Sequence, residues 1–220
     1  MRSKFPDPKQ APKDAPLALG GDLSTDTLLD AYKNGIFPWF MNGENILWWS
    51  PDPRAVFYPD SVKIHKSIKP FLRDYRVKFD TNFKKLITLC KTQREKTEPT
   101  WISQDIIMAY SNLYDLGWAH SVEVYKNDEL IGGLYGIIIG KIFCGESMIS
   151  IKPNASKVAL IKLCEVLKPF DFLIDAQVMN SHLEFMGAKS LARERFLDEL
   201  KEKISKKSGF NSFKDLNLEN

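Results

Sequence analysis

Polar side chains interrupt two apolar, strand-like stretches of this chain. Residues 172–178 are branched and aromatic enough for a buried strand, yet they include Asp175 and Gln177, which strand alternation would place on one face. Residues 141–149 repeat the pattern with Glu146. A carboxylate in such a place is costly unless it is paired, hydrogen-bonded or directed at a cleft. Two such interruptions favour a polar reaction site over capped strand ends, which are the structural alternative.

Other reaction types find weaker support in the sequence. His65, His120 and His182 are far apart and show none of the short spacings typical of zinc sites, so we expect no metal. A nucleophile built from Cys144, His120 and Asp175 stays open, although a thiol within an apolar strand is more often inert. The chain has neither a phosphate-binding P-loop nor a Gly-x-Gly-x-x-Gly motif, so nothing supports nucleotide hydrolysis or dinucleotide binding.

Composition limits where the protein works. The 220 residues are 44% hydrophobic and 27% charged, enough to bury a core in one or two domains. The three cysteines form no C-x-x-C pair, which predicts reduced thiols and a cytoplasmic location. The N-terminus lacks the apolar segment of a signal peptide, and residues 130–140, the longest apolar run, are too short to span a bilayer. We therefore expect no membrane association.

Positive charge is concentrated in the middle of the chain. Residues 61–94 hold ten Lys or Arg against two Asp or Glu, whereas the whole chain has a net charge of +3. Lys66, Lys69 and Arg73 are spaced by three and four residues, so a helix over residues 61–73 would present them on one face. The segment predicts either a surface that meets nucleic-acid phosphates or a solvated helical face.

Tryptophan is concentrated near the N-terminus, where Trp39, Trp48 and Trp49 occur in irregular, Pro-rich chain. Such a cluster is typical of a small aromatic core or of a platform on which a nucleic-acid base stacks. We expect Trp48 and Trp49 to be core and leave both interpretations open for Trp39. Trp101 directly precedes a predicted helix capped by Ser103, a position that usually serves packing.

The order of the predicted elements indicates the fold class. It runs helix, strand, two helices, three antiparallel strands, helix, strand and helix, which predicts a mixed α/β (α+β) domain of the acetyltransferase type. We place a boundary near residue 60, between a small Trp-rich N-terminal domain (1–60) and an acetyltransferase-like domain (61–220). Acetyltransferases hold a phosphate-bearing donor on a Gly-rich turn after the third strand. Residues 150–157 contain no glycine there, so a coenzyme A site is not evident.

Nine short motifs follow one another along residues 19–178. They are Leu19-Gly-Gly-Asp-Leu23, Gly35-Ile-Phe-Pro-Trp-Phe40, Leu47-Trp-Trp-Ser-Pro-Asp-Pro-Arg-Ala55, Thr100-Trp-Ile102, Ala119-His-Ser-Val-Glu123, Gly132-Gly-Leu-Tyr-Gly136, Phe143-Cys-Gly-Glu-Ser-Met148, Asn154-Ala-Ser-Lys157 and Ile174-Asp-Ala-Gln-Val178. In type and order they closely resemble the bacterial leucyl/phenylalanyl-tRNA–protein transferases. The resemblance extends from about residue 5 to residue 190.

The resemblance implies a function and its partners. Such enzymes transfer leucine or phenylalanine from leucyl-tRNA or phenylalanyl-tRNA to the N-terminal Arg or Lys of an acceptor protein, which marks it for degradation by the N-degron route. They use no metal and no coenzyme A, and we expect a monomer. Lys66, Lys69 and Arg73 match the family in basic character only, so we expect their contact with the tRNA backbone from charge alone.

The resemblance also implies roles for individual residues. Trp39 and Trp101 match aromatic residues that hold the terminal adenosine, and Tyr32 lies in the same matched region. Leu134 and Met148 match positions that line the pocket for the leucyl or phenylalanyl side chain. At Leu134 the compared relative has Met, a swap that keeps volume and should keep the pocket apolar.

Asp175 and Gln177 match the pair assigned to the reaction centre, with Glu146 beside them. The donor is an activated ester, so the acceptor amine can attack it directly once both are aligned. We expect Gln177 to orient the amine and Asp175 to hold or polarise Gln177. Glu146 would pair with a cationic group of the acceptor or the donor.

Two other functions are weighed against this one. The first is a coenzyme A-dependent N-acetyltransferase, against which the missing Gly-rich turn argues. The second is a tRNA-binding module without activity, for which the basic segment and the tryptophans would suffice. A binding module of this kind would not explain why Glu146, Asp175 and Gln177 occur in the two apolar strands.

Overall fold

The computed structural model describes residues 3–97, 99–210 and 212–216. Its strands are β1 (Ala18–Leu19), β2 (Phe37–Pro38), β3 (Leu47–Trp49), β4 (Arg54–Phe57), β5 (Arg76–Phe79), β6 (Ala119–Lys126), β7 (Glu129–Ile139), β8 (Ile142–Ser150), β9 (Leu173–Gln177) and β10 (Lys189–Leu191). Its α-helices are α1 (Thr25–Lys33), α2 (Lys69–Asp74), α3 (Phe83–Arg94), α4 (Gln104–Asp115), α5 (Ala155–Leu167), α6 (Ser181–Met186) and α7 (Arg193–Ile204). None of the described helices is long and apolar enough to cross a membrane.

A small antiparallel sheet near the N-terminus has the order β1-β3-β2. Trp48 in β3 is 1% exposed, and its indole N–H donates to the Gly20 carbonyl at 2.8 Å. The Phe5 ring packs edge-on against Trp48, with the ring centroids 4.8 Å apart. The prediction of a core position is therefore confirmed for Trp48, whereas Trp49 is only partly buried and packs against the hydrophobic cluster to which Trp48 belongs.

The larger sheet contains seven strands in the order β10-β4-β9-β8-β7-β6-β5. All neighbours are antiparallel except β8 and β9, which are parallel. This mixed sheet, with helices before and after its strands, confirms the predicted mixed α/β class. β4 precedes residue 60 in the chain but lies inside this sheet, between β10 and β9. The division into 1–60 and 61–220 stays a prediction.

Two hydrophobic clusters hold the helices on the large sheet. One joins strand residues to α1, α3, α4 and α7, and the other joins strand residues to α5 and α6. Helix α4 begins as its sequence predicts, because the Ser103 side chain accepts the Ile106 N–H at 3.2 Å. Residues of both clusters line the site described below.

The helix expected over residues 61–73 is wrong in its extent. The structure has a 3₁₀ turn at Lys66–Ile68, followed by the six-residue helix α2, with a proline at its start. Proline lacks a backbone N–H and disfavours the α conformation in the residue before it, so an α-helix cannot run through this point undisturbed. Lys66, Lys69 and Arg73 are all exposed.

Strands β8 and β9 pair over a short distance and then separate. Their paired residues are Ile142–Cys144 in β8 and Leu173–Asp175 in β9. The pairing of β9 with β4 shifts register next to Asp175, and Gln177 has a φ of 62°. A left-handed backbone is uncommon outside glycine, so the regular alternation assumed for residues 172–178 ends at this bulge. The gap between the two strands opens the cavity of the candidate site.

Candidate active site

A cavity of about 370 Å³ lies between the ends of β8 and β9. Its lining includes six of the residues that the sequence singles out: Trp39, Trp101, Leu134, Glu146, Met148 and Gln177. They come from the segment after β2, the segment before α4, and strands β7, β8 and β9. The structure thus brings into one cavity residues that are up to 138 positions apart in the chain.

One part of the cavity is apolar. Leu134 and Met148 are direct partners in the β7–β8 pairing, and both line the cavity. Further apolar side chains complete this part: Phe57, Phe143, Leu160, Leu163, Ile174, Ala176 and Leu183. Because these side chains offer no hydrogen bonds, this part suits a hydrophobic group of the size of a leucine or phenylalanine side chain.

Two tryptophans lie at the same cavity. Trp39 is 45% exposed, and its ring packs at a tilt against Trp49, with the centroids 5.7 Å apart. The Trp49 indole N–H donates to the Trp39 carbonyl at 2.7 Å, which fixes the backbone of this segment. Trp101 is partly buried and also lines the cavity. An exposed indole on a fixed backbone is suited to stacking with a planar ring.

Tyr32 does not lie at the cavity. It is 1% exposed, and its hydroxyl lies 2.5 Å from that of Tyr110. Since Tyr110 donates its only proton to Glu146, Tyr32 must donate to Tyr110. The structure therefore does not place Tyr32 among the lining residues, and its contact with the aminoacyl-adenosine stays a prediction. The ring of Tyr32 is packed into the core, and its hydroxyl is connected to the cavity through the hydrogen bonds of Tyr110 and Glu146.

The polar part of the cavity is formed by Glu146 and Gln177. The Gln177 side-chain amide donates from Nε2 to Glu146 Oε1 at 3.0 Å, and Tyr110 donates to Glu146 Oε2 at 2.9 Å. Each carboxylate oxygen thus has a donor. The amide oxygen of Gln177 accepts no hydrogen bond from the residues that the structure describes, which leaves an acceptor for a bound molecule.

Loss of hydration raises the pKa of Glu146 to about 7. The neighbouring hydroxyl groups of Tyr110 and Tyr32 act in the opposite direction, and the nearby Asp175 raises the pKa further. A carboxylate in this range exchanges its proton near neutral pH, as a general acid or base must. Buried groups with such perturbed pKa values are enriched at active sites.

Asp175 lies behind the cavity and does not line it. It is 1% exposed, and its two oxygens accept hydrogen bonds from Arg54 Nε at 2.8 Å and Arg54 Nη2 at 2.7 Å. Oδ1 also accepts the backbone N–H of Gln177 at 3.0 Å. Asp175 therefore holds the backbone of Gln177, as expected in part, but it makes no contact with the side-chain amide that would polarise it.

Arg54 and Tyr110 were not among the residues that sequence reasoning selected. Arg54 is the next-to-last residue of the Trp-rich motif, and its sequence context does not distinguish it from a surface arginine. Asp175, as a carboxylate in an apolar stretch, required a partner, but no local pattern identified Arg54 as that partner. Tyr110 follows the apolar stripe of α4, so its pattern indicated packing only.

The alternative nucleophile is contradicted by the structure. Cys144 is 2% exposed, and burial raises the pKa of its thiol well above the ordinary value. The imidazole of His120 is paired through Nδ1 with Asp80 at 2.8 Å, and Asp175 is paired with Arg54. Cys144, His120 and Asp175 therefore do not form a catalytic triad, because His120 and Asp175 are each paired with a different residue.

Two family models and several relatives match most of the chain. The family model described as "Leucyl/phenylalanyl-tRNA protein transferase" matches residues 56–201, and that of its N-terminal domain matches residues 21–52. A leucyl/phenylalanyl-tRNA–protein transferase of Campylobacter jejuni (strain RM1221) is 52% identical over 206 residues, 94% of either chain. One of Shewanella piezotolerans is 51% identical over 205 residues, 91% of this chain and 87% of the relative.

Solved structures of lower similarity were also found. A functionally unknown conserved protein from Staphylococcus epidermidis matches with a TM-score of 0.46 and 10% identity, covering 80% of this chain and 68% of the other. A GCN5-related N-acetyltransferase from Kribbella flavida matches with a TM-score of 0.39 and 7% identity, covering 74% of this chain and 60% of the other.

Proposed function

The chain belongs to the leucyl/phenylalanyl-tRNA–protein transferase family, and we propose that its cavity transfers leucine or phenylalanine from aminoacyl-tRNA to acceptor proteins. The family assignment makes it an aminoacyltransferase, with the N-degron role that the family implies. The acceptors are proteins that begin with Arg or Lys, which are thereby marked for degradation. The enzyme acts as a monomer in the cytoplasm, with 1–60 as a small N-terminal domain and 61–220 as the catalytic domain.

One observation carries the proposal: a single cavity contains an apolar part, two tryptophans and a hydrogen-bonded amide–carboxylate pair. These correspond to the three parts of an aminoacyl-adenosine, namely the side chain, the base and the ester. Leu134 and Met148 receive the leucyl or phenylalanyl side chain. Trp39 and Trp101 hold the terminal adenosine, and the ester lies near Gln177 and Glu146.

The reaction needs no covalent enzyme intermediate, because the donor ester is already activated. The acceptor's ammonium group first loses a proton to the Glu146 carboxylate, which yields the neutral amine. Gln177 orients this amine through its amide oxygen. The nitrogen then attacks the ester carbonyl, a C–N bond forms, and the bond from the carbonyl carbon to the ribose oxygen breaks. That oxygen takes the second proton from the nitrogen, and Glu146 later releases the first to solvent.

Selectivity follows from the volume of the apolar part. An apolar pocket discriminates one methylene or branch by only about 1–3 kcal/mol. Transfer of methionine at a reduced rate is therefore expected, whereas charged side chains are excluded more strongly because burying a charge costs far more.

The tRNA body is held by charge outside the cavity. Lys66, Lys69 and Arg73 are exposed and belong to the basic segment of residues 61–94. They do not line the cavity, so their contribution is to the phosphate backbone and not to the reacting ester.

The decisive assay uses labelled leucyl-tRNA with a peptide that begins with Arg and a matched peptide that begins with Ala. We expect transfer to the first only, and a loss of at least 100-fold in turnover for Gln177→Ala while aminoacyl-tRNA still binds. Binding without any transfer would instead indicate the non-catalytic module, and saturable binding of coenzyme A would indicate the acetyltransferase. Unchanged turnover in Gln177→Ala would reject the proposed orienting role.

A further inference from the structure

Arg54 is buried behind the proposed reaction centre. Its side chain extends from β4, is 1% exposed and does not line the cavity. The guanidinium lies between the rings of Phe37 and Phe196, with its central carbon 4.8 Å and 4.7 Å from the two ring centroids. These contacts hold a planar cation in one orientation.

In that orientation Arg54 binds Asp175 through two parallel hydrogen bonds of 2.8 Å and 2.7 Å, and both side chains are 1% exposed. Two-point binding fixes the plane of the carboxylate as well as its position. The free energy needed to remove two charges from water can exceed the gain from their attraction, so a buried ion pair is weak evidence that the pair stabilises the fold. A geometric role is therefore the better explanation of this pair.

The geometry that the pair determines is the backbone of Gln177. Asp175 Oδ1 accepts the Gln177 N–H at 3.0 Å, and Gln177 has the left-handed φ of 62° at the bulge of β9. A residue other than glycine adopts this conformation only when its surroundings hold it there. From this backbone the Gln177 side chain reaches Glu146 Oε1 at 3.0 Å. Arg54 is thus linked to the cavity through Asp175 and Gln177.

We propose that Arg54 is a positioning residue for aminoacyl transfer, acting through Asp175 on the backbone of Gln177. This inference rests on the proposed function. It assigns to Asp175 the role of a fixed acceptor oxygen for the Gln177 N–H, and it requires no negative charge of Asp175 at the reacting atoms. Asp175 does not line the cavity, so it cannot touch the ester or the amine in this arrangement.

The test separates the charge of Asp175 from its acceptor oxygen. Arg54→Met removes the guanidinium but keeps an unbranched apolar chain between the two rings, and it leaves Asp175 as an unpaired buried charge. Asp175→Asn keeps Oδ1 but replaces the other oxygen with an NH₂ group, which faces Arg54. The double variant Arg54→Met/Asp175→Asn removes both charges and keeps the acceptor oxygen.

We expect each single variant to lower kcat at least 30-fold, with KM for leucyl-tRNA within threefold of the parent, because the donor pocket is intact. The double variant should recover kcat only in part, to within tenfold of the parent, because it keeps the acceptor oxygen but loses the two-point contact that orients it. A double variant as slow as Arg54→Met would show that the charge of Asp175 is itself required and would overturn the proposal. So would an unchanged kcat in Arg54→Met.

A second measurement does not depend on turnover. The side-chain amide of Gln177, assigned with Gln177→Ala, should change its NMR chemical shift in Arg54→Met and return toward the parent value in the double variant. If the parent chain transferred no leucine while the amide responded in this way, the proposed function would fail and the positioning by Arg54 would stand. If transfer were normal but the amide signal were the same in all variants, the positioning role would fail alone.

Arg193 provides a matched control for loss of a buried arginine. It is 9% exposed, and its guanidinium donates to the Ser50 carbonyl at 2.7 Å, away from Asp175. Arg193→Met should lower the unfolding midpoint but leave kcat of the folded protein within twofold. A loss of kcat in Arg193→Met equal to that in Arg54→Met would mean that any buried arginine supports turnover, and it would overturn the specific role of Arg54.

Discussion

The partly buried carboxylate of Glu146 should make the stability of this protein depend on pH. Its pKa is raised from 4.5 to about 7, mainly because the cavity withholds water from it. The folded chain therefore binds the Glu146 proton more tightly than the unfolded chain does. Glu146→Gln removes this difference, since an amide does not titrate in the range, and it nearly preserves the shape of the side chain.

The sign of the effect follows from the two pKa values. Below pH 4.5 both states carry the proton, so Glu146 contributes nothing. As pH rises from 4.5 to 7 the unfolded state loses its proton first, and the free energy of unfolding falls. Above pH 7 the full cost is reached, about 3 kcal/mol at about 1.36 kcal/mol for each pKa unit. Between pH 5 and pH 8 the change amounts to about 2.5 kcal/mol.

Urea unfolding at pH 5 and pH 8 measures this change in the parent and in Glu146→Gln. We expect the stability of the variant relative to the parent to be about 2.5 kcal/mol more favourable at pH 8 than at pH 5. Any effect of the lost hydrogen bond is present at both pH values and cancels. Glu184→Gln, at an exposed position on α6, is the matched control and should show less than about 0.5 kcal/mol of change. A change as small as this in Glu146→Gln, or one of opposite sign, would refute the argument from burial.

Three further predictions concern the donor. Ala176→Leu narrows the apolar part of the cavity. The kcat/KM for phenylalanyl-tRNA divided by that for leucyl-tRNA should therefore fall about tenfold. An unchanged ratio would mean that the leucyl or phenylalanyl side chain binds elsewhere. Trp39→Ala should raise KM for leucyl-tRNA by about 5- to 150-fold with little change in kcat, as expected for the loss of about 1–3 kcal/mol of stacking, whereas a fall in kcat alone would contradict this role. Replacing Lys66, Lys69 and Arg73 together by Ala should reduce the slope of log affinity against log salt by about 2–3, and an identical slope would remove them from the tRNA surface.

The elements that carry the site were predictable because their signals are local. Alternating residues and a turn at residues 126–129 predict the hairpin that the structure shows as β6 and β7. Ser103 marks the start of α4 because its hydroxyl caps a nearby N–H. The pattern of the two apolar strands indicated Glu146 and Gln177, and the family resemblance indicated the others. Six of the eight residues assigned to catalysis or to the donor line the cavity.

The contacts of Arg54 and Asp175 behind the cavity were not predictable from the sequence, because they join residues that are distant in the chain. Arg54 and Asp175 are 121 residues apart, and no local pattern distinguishes a buried arginine from a surface one. The left-handed backbone of Gln177 arises from the bulge between β9 and β4, and β4 enters the sheet from the segment before residue 60. The prediction of regular strand alternation over residues 172–178 therefore continued past the bulge, where the alternation ends.

The loss of hydration at Glu146 has two effects. It lowers the free energy of unfolding when the carboxylate is ionised, and it raises the affinity of the carboxylate for a proton. A free α-amino group has a pKa of about 7.7–8.0. Transfer of its proton to a carboxylate whose pKa is about 7 costs about 1 kcal/mol, whereas an ordinary glutamate would make the same step cost about 5 kcal/mol. The burial that destabilises the fold at pH 8 therefore makes this carboxylate a usable base at neutral pH. Glu146→Gln must accordingly slow transfer and raise stability at pH 8 relative to pH 5, and a variant that slowed transfer without that gain would show that burial is not the source of the base.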